Sequence, residues 1–118
     1  MGLNLLIVAA GGALGAAGRY LLTLLTAAAG LHPVAGTLAA NVAGSMAIGF
    51  ASGSADGRRA LFLSVGVCGG FTTFSTFSAQ TLSLLQEGRL VAAALYAFGS
   101  VALCVAGTLA GFALAARG

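Results

Sequence analysis

Charge is almost missing from this sequence of 118 residues, which has five Arg, one Asp, one Glu and no Lys. Charged residues make up 6% of the chain, whereas a soluble domain places charge on roughly a quarter of its positions. That shortage excludes an ordinary water-soluble enzyme. Trp is absent, and Pro33 and His32 are the only residues of their kinds. With a single His, and with Cys68 and Cys104 both inside apolar runs, the chain offers neither a disulfide framework nor a Cys/His metal cluster. The two thiols read as reduced, small packing residues. The net charge of +3 comes from Arg at loops and ends. A nucleic-acid interface needs a clustered basic face, so no nucleic-acid partner is expected.

What fills the chain is apolar surface, with 59% hydrophobic residues and a mean hydropathy of +1.06. Uncharged stretches run over residues 1–18, 20–55, 60–86 and 90–116. A membrane helix needs about 20 such residues to cross a hydrocarbon core of roughly 30 Å. The stretch 20–55 is too long for one helix and is interrupted by Gly30, His32 and Pro33, a turn followed by a fresh helix start. The expectation is an all-α integral membrane protein with one domain over residues 1–118 and four transmembrane helices, at about 3–28, 33–52, 61–85 and 90–115. Short connections make neighbouring helices antiparallel. The apolar start lacks a basic leader segment and is read as a retained first helix. His32 is read as an interfacial loop residue.

Nineteen Gly are costly in soluble helices but bring backbones together in membranes. Gly11 with Gly15, Gly36 with Ala40 and Gly44, and Gly107 with Gly111 recur every four residues, which stacks them on one helix face. Four thin helices enclose little volume, so a working site calls for a second copy. Arg58, Arg59 and Arg117 fall on the N-terminal side and Arg89 and Arg19 toward the other. This weak bias fits insertion in both orientations.

The least regular stretch runs from Gly66 to Ser78, with Gly69-Gly70 and Thr72-Thr73 at its centre, in the middle of the third helix. Paired Gly lower helix propensity by about 1 kcal/mol each, and paired Thr bring β-branching and competing hydroxyls. The break is either a kink relieved by hydroxyls or a source of free carbonyls able to hold a cation. Asn41 lies mid-membrane in the second helix, where an amide is costly without partners and reads as packing glue. Tyr96, Ser100, Cys104 and Thr108 form a four-residue-spaced weakly polar stripe on the fourth helix. Arg19 lies about 24 Å along the first helix, within reach of the far interface.

The run GGFTTFSTF at 69–77, together with Gly11 to Tyr20, Gly36 to Ser45 and the four-helix length, closely resembles the fluoride channel family called Fluc or CrcB, over essentially the whole chain. That resemblance implies an antiparallel, dual-topology homodimer with two fluoride pores and a structural sodium ion at the dimer centre. By motif position it makes the backbone carbonyls of Gly69 and Thr72 the sodium ligands. It places Asn41, Phe74, Phe77, Tyr96, Ser100, Cys104 and Thr108 along the fluoride path, Thr37, Ser75 and Gln80 in a buried polar triad, and Arg19 at a vestibule. Aromatic ring edges carry partial positive charge suited to a dehydrated anion. Two residues depart from the family pattern: Gln80 stands where Glu is typical, and Cys104 where a hydroxyl is usual.

A small multidrug transporter is the nearest rival of this size, but it relies on a carboxylate embedded in its first helix, and Asp56 and Glu87 both fall in loops. A membrane enzyme needs a base or metal beside a nucleophile, which the lone His32 does not supply. A subunit of a heterodimeric fluoride channel remains the closer alternative. The function expected is passive export of fluoride across the inner (plasma) membrane, with no organic cofactor.

Overall fold

The computed structural model of the protein describes residues 1–54 and 56–117, and these are all-helical outside short turns. Helix α1 spans Gly2–Ala28 and α2 spans Pro33–Ser54. The third crossing begins with α3 (Gly57–Ala60), continues as a wider π-helical stretch (Leu61–Cys68) and one turn of α-helix, α4 (Gly69–Phe71). It then breaks at Thr72 and Thr73 and resumes as α5 (Phe74–Gln86). Helix α6 spans Leu90–Arg117. Four segments are long and apolar enough to cross a membrane. The longest dimension, 46 Å, matches a bilayer with its headgroups, about 40–45 Å.

The two tight turns on the far side are built alike. Gly30 and Gly88 take φ of 76° and 75°, a left-handed conformation that costs glycine least. Leu31 N–H then bonds Thr26 C=O and Gly30 N–H bonds Ala27 C=O, each at 3.0 Å. Arg89 N–H to Leu84 C=O and Gly88 N–H to Leu85 C=O repeat the pattern. These paired bonds satisfy carbonyls that a helix end leaves bare. After the first turn, Pro33 opens α2 while His32 Nδ1 accepts from Val34 N–H at 3.2 Å.

Helices adjacent in sequence are not the main packing partners. Helix α1 lies along the π-helical stretch and α4, and α2 lies along α6. Both seams are glycine contacts. A Cβ on Gly15 would collide with the carbonyl of Val67, and one on Gly111 with the carbonyl of Met46. Among the described residues no large side chain is fully buried, and the buried apolar ones are Ala40, Ala51, Cys68, Leu84, Ala93 and Tyr96. Cohesion between these helices therefore comes from close backbone approach, and the many exposed Leu, Val and Phe face outward, as a lipid-solvated chain requires.

The Gly69-Gly70 pair is not the point of rupture that its low propensity suggests. Both residues stay helical, and Gly70 is instead needed small, because a Cβ there would stand 2.5 Å from Gly12 C=O. The rupture falls on the β-branched Thr72 and Thr73, whose backbones are extended (φ −82°, ψ 156° and φ −149°, ψ 117°).

Candidate functional site

The break is stabilised by side chains that take over its stranded backbone groups. In an uninterrupted helix, Gly69 C=O would accept from Thr73 N–H and Thr72 C=O from Thr76 N–H. Here Thr73 N–H donates to Asn41 Oδ1 at 2.7 Å, and Thr76 N–H donates to Thr73 Oγ1 at 3.2 Å. Asn41 Nδ2 donates back to Thr73 C=O at 3.1 Å. The amide orientation follows from the chemistry, since a backbone N–H can only donate and must face the side-chain oxygen. Arg19 Nε donates to Gly70 C=O at 3.4 Å, placing a cation at the carbonyl end of the first half-helix, where it is favoured. Arg19 thus turns onto the break itself.

Beside the break lies an open cleft of about 340 Å³, bounded by α2, the third crossing and α6. Its lining brings together Asn41, Gly69, Thr72, Phe74, Phe77, Ser100 and Cys104, seven of the residues singled out from the sequence. It also includes Ser45, Cys68 and Thr73. Thr73 carried a readable signal, a Thr just before a helix start, the commonest kind of cap. Ser45 carried none beyond its place in the second-helix motif.

Among the described residues, no charged side chain lines this cleft. Its polar groups are neutral. Ser100 is buried and its Oγ has no hydrogen-bond partner, which normally costs about 1–3 kcal/mol for a buried hydroxyl. Asn41 keeps one Nδ2 hydrogen beyond its bond to Thr73. The rings of Phe74 and Phe77 are 5.6 Å apart and tilted by 47°. Phe77 also stands 5.0 Å from the Tyr96 ring, while Phe74 is 77% exposed on the single chain.

The remaining candidates lie elsewhere. Gln80 ties α5 to both neighbours, accepting from the Tyr96 hydroxyl at 2.7 Å and donating to Pro33 C=O at 3.3 Å. Buried Thr37 lies beside the same Tyr96 hydroxyl. Ser75 instead shares a hydrogen bond of 3.3 Å with Thr73 Oγ1. Thr108 sits outside the cleft, bonded to Cys104 C=O and packed by its own backbone against Gly49.

The carbonyls of Gly69 and Thr72 fit a hard cation, because each has lost its helical donor to a side chain and both residues face the cleft. Two oxygens are too few to coordinate such an ion. The rest of the shell has to come from elsewhere.

Comparison with known proteins identifies the family. Residues 6–112 match the family model described as "CrcB-like protein, Camphor Resistance (CrcB)". A protein of Paramagnetospirillum magneticum named fluoride-specific ion channel FluC is 53% identical over 110 residues, 84% of each chain. A protein of the same name from Elusimicrobium minutum is 49% identical, over 90% of this chain and 88% of its own. Fluoride-specific ion channel FluC 2 of Nitrobacter hamburgensis is 44% identical, over 95% and 96%. With four membrane-spanning segments, a broken third crossing and a family match over most of its length, this chain belongs to the CrcB family of fluoride channels.

Proposed function

We propose that this chain is a fluoride-selective channel subunit that lets fluoride leave the cytoplasm passively across the inner membrane, without catalysing a reaction. The observation that carries the reading is the character of the cleft: an apolar wall with neutral donors and no fixed charge. Fluoride is small and strongly hydrated, so it enters only where donors replace its water. A fixed positive charge would hold the ion instead of releasing it, whereas hydroxyls, an amide hydrogen and ring edges bind weakly enough for exit. Ser100 and Asn41 supply the donors, Cys104 a weaker one, and Phe74 and Phe77 the ring edges. Tyr96 and Thr108 extend the stripe on α6, Thr37, Ser75 and Gln80 support α5, and Arg19 raises the local anion concentration near the break.

The working unit is an antiparallel homodimer. The cleft is open on the single chain and Phe74 is largely exposed, so a second copy is needed to close the path. The same copy would complete a sodium shell of four carbonyl oxygens, two each from Gly69 and Thr72, the ion supplying charge that fixes the two breaks together. The test is fluoride efflux from liposomes containing the purified chain, read with a fluoride electrode and repeated with chloride under the same potential. Rapid fluoride loss without chloride leak is expected. A folded dimer that passes neither ion would redirect the reading to a subunit of a heterodimeric channel.

A further inference from the structure

We propose that Asn41 is a positioning residue for the break, acting through the backbone of Thr73. Left alone, the third crossing has an alternative: Thr73 N–H can return to Gly69 C=O and Thr76 N–H to Thr72 C=O, closing the helix. Two side chains prevent this. The Asn41 carboxamide holds both backbone groups of Thr73, accepting its N–H at 2.7 Å and donating to its C=O at 3.1 Å. Thr73 Oγ1 then takes Thr76 N–H at 3.2 Å. The two bonds that take an N–H each withdraw the donor from one of the two carbonyls assigned to the cation, so Asn41, which is 32 residues away in sequence, keeps the cation site open without touching the cation. Its grip is two-handed, and an apolar residue at position 41 would leave both Thr73 groups unsatisfied at membrane depth in the open form, which favours closing the helix, where Gly69 C=O takes the Thr73 N–H.

This inference rests on the proposed channel reading only for its sodium readout. Its structural part is measured without fluoride. Thr72 and Thr73 are the only adjacent threonines in the chain. Threonine labelled with carbonyl ¹³C and amide ¹⁵N therefore gives a single one-bond correlation in liposomes, reporting the freed Thr72 carbonyl and the held Thr73 nitrogen together. In Asn41→Ala this peak moves in both dimensions, and half-maximal flux requires about 5- to 150-fold more sodium, the span expected where the open form leaves the Thr73 N–H unpaired. Asn41→Asp keeps an oxygen for Thr73 N–H, so its ¹⁵N coordinate stays near wild type. An Asn41→Ala peak and sodium requirement equal to wild type overturns the proposal. So does an Asn41→Asp peak displaced as far as that of Asn41→Ala, a result that also decides the matter if the alanine variant does not fold. If the peaks behave as expected but the folded dimer passes no fluoride, the channel reading fails and the positioning role stands.

Discussion

Replacing Gly111 with alanine adds one methyl group where α6 meets the α2 backbone. That carbon would overlap the Met46 carbonyl oxygen and stand 2.9 Å from both Met46 C and Phe50 N. These are backbone atoms of a continuous helix, so no side chain can swing aside. Opening the 2.9 Å contacts to ordinary separation moves the helices apart by about 0.5 Å or more, and gaps of that size forfeit a quarter to a half of each affected dispersion contact. Overpacking of this kind costs about 1–3 kcal/mol, a change of roughly 5- to 150-fold in the folding equilibrium. Gly99 lies on the same helix with nothing within 4 Å of its would-be Cβ. Gly99→Ala therefore feels only helix propensity, a gain of up to about 1 kcal/mol. The two variants have identical composition and opposite expected signs. Because Trp is absent, unfolding is best followed by far-ultraviolet circular dichroism in detergent micelles titrated with dodecyl sulfate. A Gly111→Ala midpoint within about 0.5 kcal/mol of wild type, or equal losses in both variants, would refute the claim that backbone contact holds this seam.

Three further outcomes follow from the site. Ser100→Ala removes a buried hydroxyl that has no partner, so stability stays level or rises by about 1 kcal/mol while fluoride efflux falls; loss of stability with unchanged flux would count against its donor role. Phe74→Ile and Phe77→Ile both slow efflux, and Phe77→Ile lowers the unfolding midpoint by about 0.5–1.5 kcal/mol more than Phe74→Ile, since it loses the ring pair with Tyr96 as well as the one with Phe74. Tyr96→Phe strips Gln80 Oε1 of its donor and costs about 1–3 kcal/mol, whereas Gln80→Glu keeps that bond and gives up the one to Pro33, costing about 1 kcal/mol, both read by the same titration.

The crossings were legible because membrane insertion is a matter of local composition: long uncharged runs, divided again at Gly30 to Pro33, make up most of α1, α2, the third crossing and α6. The glycines at 11, 15, 107 and 111 were legible as contact faces for the same reason, being periodic within one helix. The segment that breaks was legible from its paired Gly and paired Thr, but not which pair gives way. Propensity points at Gly69 and Gly70, but the fate of that pair is decided by Gly12 on another helix, and the fate of Thr73 by Asn41 on a third. Pairing of α1 with the third crossing and of α2 with α6 is likewise hidden from any reading of one segment at a time. Gln80 shows the same limit: its residue type was notable, yet its partners Tyr96 and Pro33 come from helices before and after it.

The two extended residues at Thr72 and Thr73 leave the oxygen-bearing end of one half-helix and the nitrogen-bearing end of another about 7 Å apart. Such ends carry roughly half an elementary charge each, of opposite sign. Seen from the water on either side, the two backbone ends nearly cancel, and the long-range field is that of the Arg19 guanidinium beside them. Within a helical turn the cancellation fails, and each edge presents its own polarity, with the Arg19 guanidinium on Gly70 offsetting the oxygen side. Sorting at such a gap is short-ranged: ions are told apart on contact, by which atoms can take the place of their water.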